Sequence, residues 1–301
     1  MKSSCSVSNP SACSPGLHPR PKITGLSRVS LRTGDLENSC RFFTGFLGYD
    51  RVPSGSGDAS CATIRINERQ TVGLLHMNSD DPLRLLSFTI ETEDSAALRR
   101  YLESRGCEVF GSGGCDDRFR PDFCLSAPGG VVCEVVQRRP VEAVGPVTED
   151  RRIAPTMSHV GFMVPDPDEA LAFYVGVLGF REVWRGGPDP AKVCWVRLGL
   201  PEGDETIELM LYEERPTRPE MGHMNHLCLE VADVYAVRDR LQGRSLPAGC
   251  RPPSPISVGI NRKRQINYYD ADGTRVEIME ERTVDGAAAP SSTGVLMRFL
   301  G

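Results

Sequence analysis

HVGFMVPDPDEALAFYVGVLGF, residues 159–180, contains a strand, a helix start and a helix stop within twenty-two residues. The run ending at Val164 is apolar enough for a buried strand. Asp166-Pro167-Asp168-Glu169 then supplies an N-cap, a first-turn proline and a carboxylate at the capping-box position. Leu171, Tyr174 and Leu178 recur at helical spacing, and Gly179 stands where a left-handed residue ends a helix. Three strand-like runs follow, Arg181 to Arg185, Lys192 to Leu198 and Glu205 to Tyr212, separated by GGPDPA and GLPEGD. The order is βαβββ.

The same unit recurs along the chain. At an offset of 131, Ser27, Val29, Asp35, Phe42, Gly45, Leu47 and Gly48 fall on Ser158, Val160, Asp166, Phe173, Gly176, Leu178 and Gly179. An offset of 139 sets Glu91, Asp94, Ala97, Arg99 and Leu102 on Glu230, Asp233, Ala236, Arg238 and Leu241. An offset of 143 pairs Gly130 and Glu134 with Gly273 and Glu277. Rising offsets place insertions in loops, where extra residues cost little. The fourth quarter reads as a strand at Met224 to Val231, a helix capped by Asp233, a long Pro-rich crossing, and strands near Gln265 to Tyr269 and Thr274 to Glu280. The expected fold is therefore α+β, with four βαβββ units paired into two half-barrel domains, 23–140 and 155–282. A tail over 1–22, a linker over 141–154 and a C-terminal tail over 283–301 complete the chain. Within that last tail, Val295 to Leu300 has the composition of a short apolar clip.

Composition narrows the function. The 301 residues are 40% hydrophobic and 25% charged, as in a globular protein with a sizeable core. No run approaches the roughly 18 apolar residues of a membrane span. Thirty-five basic against 40 acidic residues give a net charge of -5 without a basic tract to follow a phosphate backbone, so neither membrane nor nucleic acid is an expected partner. Eleven scattered cysteines without CxxC pairs suit a reducing, cytoplasmic setting.

Four residues of the second half stand out: His159, Glu208, His226 and Glu277. Each histidine lies on the opening strand of its unit and each glutamate on the closing strand, in TIELMLY and TRVEIMEE. Taken singly, such a histidine is a packed side chain and such a glutamate the solvent face of an alternating strand. Recurrence at corresponding places changes this, because an unpaired carboxylate facing a cup between curled strands is costly and a cation offsets the penalty. Two imidazoles and two carboxylates suit one divalent transition metal.

HVGFMVPDPDEALAFYVGVLGF, the IEL run, GHMNHLCLEVAD and YDADGTRVEIMEE together resemble the vicinal oxygen chelate superfamily, which includes glyoxalase I, extradiol dioxygenases and bleomycin-resistance proteins. The resemblance implies that His159, Glu208, His226 and Glu277 take the four metal positions in the glyoxalase I pattern. It implies a glyoxalase-like lyase or isomerase working through an enediolate of a small oxygenated metabolite, with Glu277 or Glu208 as general base and Zn, Ni, Co, Mn or Fe(II) as the ion. Two alternatives stay open. One is an Fe(II) extradiol-type dioxygenase using His159, His226 and Glu277. The other is a non-catalytic binding or resistance protein. Met163 and Tyr212 replace the arginine and asparagine with which glyoxalase I enzymes hold glutathione, which argues against that substrate. The ring-cleaving relatives' tyrosine position holds Asn267, followed by Tyr268 and Tyr269. In the first half Arg28, a residue near Gly73, and Ser87 stand where three ligands would be, leaving Glu134, so that half reads as metal-free. Arg28 and Arg32 gripping an acidic ligand is the alternative there. His223 and His76 read as solvent-facing, Cys228 and Cys194 as packing residues, and the NRKR run at Asn261 to Arg264 as a solvated loop or the mouth of the cup. The chain is expected to act as a monomer or homodimer.

Overall fold

A computed structural model of the chain describes residues 19–53, 59–77, 81–111, 119–138 and 151–299. Most of the expected tail over 1–22 and linker over 141–154 lies outside these residues. The first domain runs β1 (Ile23–Thr33), α1 (Leu36–Arg41), β2 (Asp50–Val52), β3 (Cys61–Arg65), β4 (Thr71–His76), β5 (Leu85–Thr92), α2 (Ser95–Ser104), β6 (Val109–Phe110), β7 (Phe123–Ser126) and β8 (Val132–Gln137). The second repeats it: β9 (Thr156–Val164), α3 (Pro167–Leu171), β10 (Arg181–Gly186), β11 (Lys192–Val193), β12 (Trp195–Gly199), β13 (Thr206–Leu211), α4 (Arg218–Met224), β14 (His226–Val231), α5 (Val234–Gln242), β15 (Ser257–Val258), β16 (Lys263–Tyr269), β17 (Arg275–Thr283) and β18 (Val295–Leu296).

Each domain is one eight-stranded sheet made of two units. The orders are β2-β3-β4-β1-β5-β8-β7-β6 and β10-β12-β13-β9-β14-β17-β16-β15. The two opening strands pair antiparallel at the centre, and each pairs in parallel with the closing strand of its own unit. That arrangement is the α+β architecture of four βαβββ units that the repeats predict.

Local chemistry explains the elements. Asp35, Asp94, Asp166 and Asp233 cap the four unit helices, each accepting backbone N–H bonds in the first turn. The first and third helices widen in their last turn, where Leu47 N–H donates to Phe42 and Leu178 N–H to Phe173, five residues back. Gly48 and Gly179 then take φ of +88° and +76°, as the sequence predicts for the helix stop. One helix is absent from the sequence reading. Met224 belongs to α4 rather than to a strand, because Thr217 and Glu220 form a reciprocal capping box that starts a helix before β14.

Alternation divides the sheets into two faces. On the second domain's outward face, Val160, Phe162, Ile207, Leu209, Leu227, Leu229, Val276 and Ile278 enter a core shared with the first domain, where the Phe88 and Phe162 rings stack 5.7 Å apart. Polar contacts also join the domains: Asp272 accepts from Thr33 Oγ1 at 2.7 Å and Gly34 N at 2.9 Å. The C-terminal segment is docked rather than free, with β18 pairing in parallel with β11. Among the described residues, no helix is long and apolar enough to cross a membrane.

Candidate metal centre

The other face of the second sheet is the inside of a cup. His159, on β9, pairs across to Cys228, and Cys228 to Glu277; one row along, Glu208 pairs with Gly161, and Gly161 with His226. Two adjacent rows thus gather four side chains from distant parts of the chain. All four are buried, at 0% exposed for His159, 8% for Glu208, 1% for His226 and 4% for Glu277.

Their donor atoms converge. His159 Nε2 lies 3.2 Å from His226 Nε2. Glu277 Oε2 is 3.4 Å from His159 Nε2 and 3.6 Å from His226 Nε2, and Glu208 Oε1 is 3.9 Å from His226 Nε2. Donors held at roughly 2.0–2.2 Å from one ion stand about 3 Å apart at right angles and about 3.4 Å apart at tetrahedral angles. The spacings among His159, His226 and Glu277 are close to those around one small cation, Glu208 stands farther out with its oxygen 3.9 Å from His226, and an N2O2 set of this kind fits a divalent transition metal.

The surroundings fix each donor. His226 Nδ1 donates to the Met224 carbonyl at 2.8 Å, which leaves Nε2 as the lone-pair nitrogen of the neutral ring. Each glutamate has one oxygen held by a guanidinium: Arg197 Nη2 lies 3.0 Å from Glu208 Oε2, and Arg275 Nη2 lies 2.9 Å from Glu277 Oε1. Arg275 is itself oriented by Nε donating to Asn267 Oδ1 at 2.7 Å. The free oxygen of each carboxylate faces the imidazoles. Burial and the Arg197 charge push His159 down to about 4, so it presents a lone pair at neutral pH. Burial tends to raise both glutamates, but the charges and hydrogen bonds around them carry both below the usual carboxylate range, Glu277 well below it. His226 fits only because residue 161 is glycine: a Cβ there would lie 2.2 Å from His226 Cε1.

Arg197 and Arg275 went unnoticed in the sequence. Arg197 shares a strand face with Trp195, and Arg275 sits two residues before Glu277, so the period-2 pattern already placed Arg275 beside a candidate ligand. Cys228 also proves closer than a packing role implies, its Sγ lying within 4.8 Å of the His159 and Glu277 donors. Burial raises its thiol pKa well above the usual value, so it stays protonated. Cys194 packs as expected, against Met297 Sδ at 3.0 Å. His223 lies outside the site and is partly buried on α4, its Nε2 3.2 Å from Arg251 Nη2, while His76 is exposed at the end of β4. Of the three residues at the ring-cleaving tyrosine position, Asn267 holds Arg275, Tyr268 is core beside Phe46, and Tyr269 lies under Arg251. In the NRKR run, Lys263 lies 3.8 Å from Glu230 and Arg264 3.1 Å from Glu280.

The first cup has different contents. Strand register places Gly73 where Glu208 stands, since Ser30 pairs with Gly73 as Gly161 pairs with Glu208. Arg28 fills the space, with Nη1 3.3 Å from both Thr63 Oγ1 and Thr71 Oγ1, and a Cβ on Gly73 would lie 2.2 Å from it. Glu134 accepts from Ser87 Oγ at 2.8 Å and Thr89 Oγ1 at 2.6 Å. A guanidinium has no lone pair to give, so this set does not suit a cation.

Comparison with known proteins agrees with the geometry. Residues 156–278 match the model of the Glyoxalase/Bleomycin resistance protein/Dioxygenase superfamily. The second domain is thus similar to that superfamily, the vicinal oxygen chelate group the sequence resembles. The uncharacterised protein YaeR of Escherichia coli K12 is 29% identical over 129 residues, 41% of this chain and 94% of that one. The 2,3-dioxygenase LapB from Pseudomonas sp. KL28 superposes with a TM-score of 0.69 at 16% identity, over 93% of this chain and 99% of its own. Homoprotocatechuate 2,3-dioxygenase from Arthrobacter globiformis gives 0.67 at 16% identity, over 95% and 86%. At such identities the likeness is one of fold, and it spans both domains.

Proposed function

We propose that this chain is a divalent-metal-dependent lyase or isomerase of the glyoxalase type, acting on a small oxygenated metabolite, with His159, Glu208, His226 and Glu277 as the metal ligands. The observation that carries this reading is the pair of glutamates. Each has one oxygen fixed by an arginine and the other turned toward both histidines, an arrangement with no purpose in a solvent-facing strand.

A bound divalent ion supplies Lewis acidity to neighbouring oxygens of the substrate. The protein supplies the proton transfer. Glu277 is the anchored carboxylate, in contact with both imidazoles and Arg275. Glu208 is the looser one, with its free oxygen 3.9 Å from His226, and we assign it the base: Oε1 takes a proton from the hydroxyl-bearing carbon and returns it to the adjacent carbonyl carbon, while the hydroxyl proton passes to the former carbonyl oxygen, so the hydroxycarbonyl isomerises with no net change in atoms or charge. Arg197 stays paired with the other oxygen throughout and keeps the carboxylate aimed.

A second reading has the four-unit architecture in its favour, since the dioxygenases named above share it over more than nine-tenths of this chain. In that reading His159, His226 and Glu277 hold Fe(II) and Glu208 is a neighbour. The deciding experiment incubates the metal-loaded protein with hydroxyacetone in D2O, followed by proton NMR, and with catechol in an oxygen electrode. Deuterium entry that disappears in Glu208→Gln supports the isomerase. Oxygen uptake that survives Glu208→Gln supports the dioxygenase, and metal binding with neither activity supports a binding protein.

A further inference from the structure

The two ends of the cup differ in charge. Beyond the row of Glu208, Gly161 and His226, register continues to Trp195, Met210 and Met163, paired across β12, β13 and β9. Tyr212 follows on the same face. Met163, Met210 and Tyr212 form a buried cluster separate from the main core, so it is a lining of the cup and not part of the body of the protein. At the opposite end the same face carries Glu230, the buried Met279, Gln265 and Lys263, with Lys263 Nζ 3.8 Å from Glu230.

The apolar end is roofed by two pieces. One is α4, through Met221 and Met224; the other is the C-terminal segment, through Phe299. The Phe299 ring lies 6.0 Å from Tyr212, its N–H reaches Pro165 O at 3.3 Å, and the Arg215 guanidinium is 5.9 Å from its centroid. The segment is anchored through Met297 by the pairing of β18 with β11, by Met297 N–H donating to Val193 O at 3.0 Å, and by Leu296 and Met297 packing against the main core; past Met297 stands the exposed Arg298–Asp168 ion pair. An exposed pair contributes little, which puts the tip that carries Phe299, rather than the anchored part before it, among the readily opened parts of the fold.

We propose that the site takes a substrate whose chelating oxygens carry an apolar substituent of aryl or branched-alkyl size. The substituent lies against Met163, Met210 and Tyr212, and Phe299 is the movable wall that closes over it. Thioethers and rings offer this surface polarizable contacts and no charge, and methionines adapt to the shape of what they meet. A carboxylate buried against Met163 and Met210 is disfavoured, since thioethers carry no charge to pair with it and burial without a partner is costly. The polar end, with Lys263, faces the other side of the substrate. This inference rests on the metal-site reading above.

The test uses the full-length protein loaded with Co(II), whose visible spectrum reports a change in coordination. Acetohydroxamate and benzohydroxamate share a vicinal-oxygen chelating head and differ in a methyl against a phenyl group. The expected result is that benzohydroxamate binds on the order of tenfold or more tightly than acetohydroxamate, within the range that apolar pockets provide. Phe299→Ala should reduce that preference several-fold while leaving acetohydroxamate within about twofold, and Phe299→Leu should restore part of it. Equal affinities for the two probes in the unmodified protein would overturn the inference and leave the metal site standing. Tighter phenyl binding in Phe299→Ala would overturn the wall, showing the ring to be a plug. If the protein takes up no Co(II), or neither probe alters its spectrum, the metal-site reading itself fails and this inference with it.

Discussion

The Nε2 atoms of His159 and His226 stand 3.2 Å apart, although the two residues are 67 positions apart in the chain and lie on neighbouring antiparallel strands. Hydrogen bonding at His226 Nδ1 turns its other nitrogen toward the gap, and two carboxylate oxygens close the remaining sides. Such a cluster is unfavourable without a cation and favourable with one.

A saturating divalent metal should therefore raise the melting temperature by several degrees, since ligand at roughly 100 times its dissociation constant stabilises by about 2.7 kcal/mol. Differential scanning fluorimetry with Zn, Ni, Co, Mn and Fe(II) reads this directly. His226→Ala should abolish the shift. A melting temperature indifferent to all five ions would contradict the account.

Arg197 tests the carboxylate arrangement. Arg197→Met leaves Glu208 buried without its guanidinium, a loss of about 3 kcal/mol in the metal-free protein by analogy with other broken buried pairs. Metal affinity should weaken by roughly 10- to 100-fold, as for other outer partners of ligands. Urea melts with and without metal separate the two effects, and the stability loss should shrink when metal is present. Unchanged melts and unchanged affinity would show that the arginine plays no part in aiming Glu208.

Gly161→Ala asks whether the backbone makes room for the ligand. The added methyl would meet the His226 ring at 2.2 Å, and a ring between strands has no flexible end to withdraw. Metal binding should fall by at least about tenfold, comparable to disturbing a ligand's immediate support. The circular dichroism of the sheet should persist. Isothermal titration with Zn checks this, and wild-type affinity would contradict it.

Asp270 should give the domain junction a pH dependence away from the metal. Burial and neighbouring Asp272 raise its carboxyl to about 6, against the opposing Thr274 N–H bond, and Ser39 Oγ of the first domain lies 3.3 Å away. A raised acid binds its proton more tightly when folded. Its contribution, roughly 2–3 kcal/mol, is thus fully present below about pH 4 and lost as pH rises through about 6. Asp270→Asn mimics the protonated acid, so the difference in stability between variant and parent should grow in the variant's favour from pH 4 to pH 7. A difference flat with pH would contradict the assignment.

Much of this was legible in the residues. The repeat offsets located the two domains because corresponding strands keep the same spacing of Gly, Asp and apolar positions, and Asp166 with Gly179 marked both ends of a helix. The four candidate ligands stood out because each histidine opens a unit and each glutamate closes one. Arg197 and Arg275 were not, since a charge on a strand looks the same whether it meets water or a buried carboxylate. The extra helix before β14 had its signal in Thr217 and Glu220, but a loop of that composition reads as a connection until the capping box is recognised. Docking of Val295 to Phe299 depends on contacts with β11 and Tyr212, more than eighty residues earlier, which no local pattern encodes.

The most direct test of the central claim is the anomalous-scattering structure of crystals grown with Zn. The account predicts one ion within about 2.0–2.2 Å of His159 Nε2, His226 Nε2, Glu277 Oε2 and Glu208 Oε1. An ion bound elsewhere, or none among these four residues at saturating Zn, would contradict it.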